Sequence, residues 1–119
     1  MSKENIENLE KMTFYPVGSL NEFLVQIGRV VEVAEHQIAV FRLSDDRIFA
    51  VSNQNPHPKG GPLAEGIVSG HYLYDPLYDW KIDLTTGLVQ APDTGQVQTF
   101  PVKVDGNQVF IAIENLQRA

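Results

Sequence analysis

The chain of 119 residues contains no cysteine. That excludes disulfide staples, thiolate nucleophiles, cysteine-based zinc sites and conventional iron–sulfur ligation. It fits a reducing compartment. Basic clusters are missing as well. Nine Lys and Arg residues stand singly against fifteen Asp and Glu, giving a net charge of -6 and a pI of about 4.9. A nucleic-acid partner requires a basic face and is therefore not expected. No apolar run approaches the roughly 18 to 20 residues of a membrane helix. The opening MSKENIENLEKM lacks the apolar centre of a signal peptide. The expectation is a mildly acidic, soluble, cytoplasmic protein that engages neither nucleic acid nor membrane.

What is present suits one globular domain. Hydrophobic residues make up 43% of the chain, enough for a single core at this length. Residues 1–12 are polar apart from a few scattered side chains and are expected to form a flexible tail before a single domain over 13–116. Phe14–Val17 suggests an edge strand, limited by Pro16. Ser19 and Glu22 have capping-box spacing, so one or two helical turns are expected before Gly28. β-branched and aromatic residues then mark strands at Arg29–Val33, Gln37–Leu43 and Ile48–Asn53. Both faces of Ile38–Phe41 are apolar, which predicts a central strand covered on each side. His71–Asp75 and Trp80–Leu84 form another candidate pair. The clearest hairpin joins Val102 and Val104 to Val109, Ile111 and Ile113 through Asp105-Gly106. The predicted core contains Val40, Phe41, Phe49, Val51, Val109 and Ile111. Short strands with frequent turns predict an all-β, antiparallel sandwich or barrel.

Two loops invite a functional reading. NPHPKGG (55–61) and DPLYDW (75–80) each have proline in second position, and seventeen residues separate His57 from Asp75. From about Phe14 to Glu114 the chain resembles a Rieske-type domain. That family holds its two-iron cluster on loops reading Cys-x-His and Cys-x-x-His. The segments PKGGPLAEG, DPLYDWKIDLTTG and FPVKVDGNQVFIAI resemble its flanks and last hairpin. The resemblance implies a Rieske-like antiparallel β-sandwich with a smaller two-loop subdomain over about 53–80. The four ligand positions correspond to Asn55, His57, Asp75 and Tyr78. Only His57 matches, whereas a Rieske centre needs two thiolates on one iron and two imidazoles on the other. No cofactor, metal or catalytic residue is therefore expected in this chain.

More narrowly, the chain resembles small subunits of the cytoplasmic NAD(P)H-dependent nitrite reductase of nitrate assimilation. That resemblance implies an accessory role beside a large subunit that carries FAD, an iron–sulfur cluster and sirohaem and reduces nitrite to ammonium. Lys59, Pro76, Leu77 and Tyr78 are the expected partner contacts, because loops on a stiff sheet make good recognition surfaces. Two other readings fit the same residues: a stand-alone binding or regulatory domain, and a variant holding one divalent ion between His57, Asp75 and Tyr78. His57 is expected to be a packed loop residue rather than a ligand remnant or an acid–base group. Asp75 and Tyr78 are expected to hydrogen-bond across the loops, and Trp80 to pack in the core. Gly60-Gly61-Pro62 needs only turn geometry, and Lys81 is a single surface charge.

Overall fold

A computed structural model describes residues 11–115. The tail expected over 1–12 lies mostly outside the described residues, but Met12 already pairs with Glu114. The strand that organises the fold is β3 (His36–Arg42), between β2 (Arg29–Val33) and β4 (Ile48–Ser52). Its pleat sends Ile38 and Val40 to one face and Ala39 and Phe41 to the other, and all four are fully buried. A fourth strand, β8 (Thr99–Phe100), completes this sheet in the order β2-β3-β4-β8.

On one face lies a three-stranded sheet in the order β1-β10-β9, formed by β1 (Met12–Ser19), β9 (Val102–Asp105) and β10 (Gln108–Glu114). The core between these two sheets joins Phe23, Ile38, Val40, Ile48 and Ala50 to Val109, Ile111 and Ile113. Burying each large side chain contributes about 1.5–3 kcal/mol. The opposite face of the central sheet is covered by a subdomain whose small sheet has the order β5-β6-β7: β5 (Ile67–Ser69), β6 (Tyr72–Tyr74) and β7 (Lys81–Asp83). Ala39, Phe41, Leu43 and Val51 meet Leu63, Leu73, Ile82, Leu84, Val89 and Val97 there. All strand pairs are antiparallel. The fold is thus the expected all-β antiparallel sandwich with a smaller subdomain.

Several local expectations change. The 19–22 helix is a single 3-10 turn, Leu20–Glu22, and the Ser19 hydroxyl bonds Asn21 rather than capping it. Phe23 is drawn into the core and Val25 bridges to Arg42, so the chain must straighten at once. Phe49 is half-buried, with Arg47 lying over its ring at 5.5 Å. The two central turn residues of the last hairpin are Gly106 and Asn107, because Asp105 pairs with Gln108. Gly106 has φ +60, a conformation that costs glycine nothing. The subdomain also extends past Trp80, through β7 to Val97. Among the described residues no helix is long and apolar enough to cross a membrane.

Candidate functional site

Both proline-bearing loops project from the subdomain, one after β4 and the other between β6 and β7. The first is tied down at its base by Asn53, whose Oδ1 accepts the N–H groups of Leu63 (2.8 Å) and Ala64 (2.9 Å). Within it, Asn55 Oδ1 accepts the His57 N–H at 3.0 Å, and the Asn55 N–H donates to the Gly61 carbonyl at 2.7 Å. The Gly60 N–H donates to the His57 carbonyl, and the Lys59 N–H to His57 Nδ1 at 3.0 Å. Gly60 and Gly61, with φ of +70 and +109, let the chain turn back.

Asp75 closes the second loop. One carboxylate oxygen accepts the N–H groups of Leu77 (2.9 Å) and Tyr78 (2.6 Å), and the other accepts that of Trp80 (2.6 Å). This closure bends the chain through Asp79 at φ +60, a region Asp tolerates better than most residues. Asp75 is only 3% exposed. Burial pushes its pKa up, but the N–H donors of Tyr78, Trp80 and Leu77, aided by the nearby Asn55 amide, outweigh it and hold the carboxyl below its usual value. Asn55 Nδ2, although close to that carboxylate, is buried and meets no partner in hydrogen-bonding geometry.

Ring contacts join the loops. His57 and Tyr78 stack with centroids 3.7 Å apart and planes 13° from parallel, and Trp80 tilts against His57 at 4.7 Å. Of the expected cross-loop hydrogen bonds, the Tyr78 side chain makes none among the described residues and reaches the first loop by stacking, while Asp75 bonds the N–H groups of its own loop and has the Asn55 amide near its carboxylate from the other. Trp80 is half-buried, with part of its ring on the core and part on His57. Lys59, Pro76 and Leu77 are exposed, Leu77 at 58%, while Tyr78 is half-buried. The 91–96 segment, APDTGQ, reads as a loop from its proline and glycine, and the fold brings it to the site. Its Gly95 lies so close to Pro56 and Trp80 that an added Cβ would sit 3.6 and 3.7 Å from them. Glycine flanked by turn residues was the available signal.

These side chains do not fit a [2Fe–2S] cluster. The chain has no thiolate. Asp75 is committed to three N–H groups, Nδ1 of His57 accepts a fourth, and the Tyr78 ring lies flat against the imidazole. The single-ion reading meets the same obstacle at Asp75, whose carboxylate faces the N–H groups of its own loop. Among the described residues no group of three or more His, Asp or Glu could hold a metal.

A family model for the Rieske-like [2Fe-2S] domain matches residues 13–112. The anthranilate 1,2-dioxygenase ferredoxin subunit of Burkholderia cepacia is 30% identical over 101 residues, covering 84% of this chain and 92% of that protein. The nitrite reductase (NADH) small subunit of Escherichia coli K12 is 24% identical over 93 residues, covering 74% and 86%. In three dimensions, a candidate NADH-dependent nitrite reductase small subunit from Mycobacterium tuberculosis superposes with a TM-score of 0.80 at 20% identity, over 88% of this chain and 98% of that one. Ferredoxin and nitrite reductase subunits are thus both relatives, at similar identity. The chain belongs to the Rieske-like [2Fe-2S] domain family, with homology to nitrite reductase small subunits and without the family's cysteine ligands.

Proposed function

We propose that this chain is the accessory small subunit of a cytoplasmic NAD(P)H-dependent nitrite reductase, in the nitrite-to-ammonium step of nitrate assimilation. The observation that carries the reading is the filled loop tip. A dioxygenase ferredoxin passes electrons through its cluster, and here the cluster positions are taken by a committed carboxylate, a buried amide and a ring stack. A role that requires docking but no electron carrier fits those residues. On this reading the chain is not itself catalytic, and FAD, an iron–sulfur cluster and sirohaem reside in the large subunit. The contact surface is the tip formed by Lys59, Pro76, Leu77 and Tyr78. Leu77 supplies exposed apolar area at its apex, Pro76 limits the entropy lost on binding, and Lys59 supplies one cation.

The test is co-purification of the tagged chain with a nitrite reductase large subunit. Stable association is expected, and Leu77→Asp should weaken it at least tenfold, because burying an unpaired carboxylate costs more than about 1.4 kcal/mol. Association of the parent with an oxygenase component instead of the reductase contradicts the reading. A Leu77→Asp variant that binds as well as the parent removes the tip from the interface.

A further inference from the structure

The ligand chemistry of the family and the side chains of this chain disagree at the loop tip. The loops are nonetheless joined. Each is closed separately by its own side-chain cap: Asn55 accepts the His57 N–H in the first, and Asp75 accepts three N–H groups in the second. Across the gap the Asn55 amide lies near the Asp75 carboxylate without hydrogen-bonding geometry, and three apolar contacts close it. Tyr78 stacks on His57 at 3.7 Å, Trp80 leans on His57 at 4.7 Å, and Leu77 covers Gly61 so closely that a Cβ there would meet Leu77 Cδ1 at 2.7 Å. Stacked rings need neither charge nor metal, and a nearly parallel pair at this separation is in van der Waals contact over its faces.

We infer that these loops have exchanged a metal clamp for an aromatic one, with Tyr78 as the positioning residue that holds the first loop against the second. The tip is then set in the free chain and is indifferent to iron. The inference rests on the accessory-subunit reading for what the tip docks to, but not for how the tip is held.

Native-state amide exchange on the free full chain tests it. The N–H groups of Asn55, Lys59 and Gly60 bond within the first loop, so they report on that loop while the substitution sits in the other. Tyr78→Ala should accelerate their exchange roughly three- to tenfold, the equilibrium factor expected from losing an aromatic pair, with amides of β3 unchanged. Tyr78→Phe, which keeps the ring, should behave like the parent. Ferrous iron and sulfide should leave the exchange of the parent as it was. Unchanged first-loop exchange in Tyr78→Ala, equal acceleration in Tyr78→Phe, uniform acceleration that includes β3, or protection gained on adding iron and sulfide would each overturn the inference. None of these outcomes depends on binding to the reductase, whose failure is read separately by co-purification.

Discussion

Replacing Asp75 by Asn exchanges one carboxylate oxygen for an NH2 group and removes one charge, at a site where both changes can be followed. The carboxylate accepts N–H groups from Leu77, Tyr78 and Trp80 at 2.6–2.9 Å, in a position only 3% exposed. A hydrogen bond to a charged acceptor contributes about 1.5–3 kcal/mol. In Asp75→Asn the amide oxygen can still accept from Leu77 and Tyr78, though as a neutral group. The amide NH2 then faces the Trp80 N–H, donor against donor. One charged bond is lost and two are weakened, so a loss of about 2–4 kcal/mol is expected at pH 7. The assay is urea unfolding of both proteins at several pH values. The folded-state pKa of Asp75 lies below its ordinary value of 3.8. Its contribution is therefore complete above that value and is lost as pH falls through the lower, folded one. Asparagine does not titrate. The gap between the two proteins should be widest near neutrality and should narrow below about pH 3.8. Asp45 and Asp83, whose pKa values are also lowered, are common to both proteins and cancel in the difference. A loss under about 1 kcal/mol, or one that is the same at pH 7 and pH 3, refutes the assignment of Asp75 as an ionised closure of its loop.

Phe41→Ala should cost about 3–5 kcal/mol, because a fully buried ring at the junction of the central sheet and the subdomain is removed. A thermal melt that does not move would contradict that burial. Gly28→Ala should destabilise strongly, since the added Cβ would overlap the Ala64 carbonyl and the Phe41 ring. Gly106→Ala has open space around it and a positive φ, so it should cost only about 1 kcal/mol. Reversal of that order in urea unfolding would mean that the edge segment before β2 does not pack as described.

How much could be read beforehand depended on the range of the physics involved. The central position of β3 followed from local pattern alone, because an uninterrupted apolar run with period-two alternation must be covered on both faces. The last hairpin was equally plain, with Val109, Ile111 and Ile113 all inward. By contrast β5 was missed, since three residues carry little pattern. The cue was the Ser69-Gly70-His71-Tyr72 turn, which repeats the glycine placement of Asp105-Gly106-Asn107-Gln108. At the site, the resemblance of the two loops to those of a Rieske domain pointed to Asn55, His57, Asp75 and Tyr78. It could not say where their polar atoms turn. Asp75 bonds its own loop because the N–H groups of residues two, three and five positions on are nearest once Pro76 bends the chain. Tyr78 meets His57 because the two loops arrive side by side on one subdomain, a tertiary fact that no local pattern encodes. The need for glycine at 28 is of the same kind: the Ala64 carbonyl passes too close there for a Cβ.

The central claim, that a Rieske-like chain holds its loop tip together without a cluster, is most directly tested by anaerobic iron–sulfide reconstitution. Iron, acid-labile sulfide and the low-temperature electron paramagnetic resonance spectrum are read on the desalted, dithionite-treated protein, beside a cysteine-bearing Rieske ferredoxin under the same treatment. The account predicts that the ferredoxin acquires the signal of a reduced two-iron centre, while this chain retains neither iron nor sulfide and gives no signal. Stoichiometric iron and sulfide with that signal in the unsubstituted chain would contradict it.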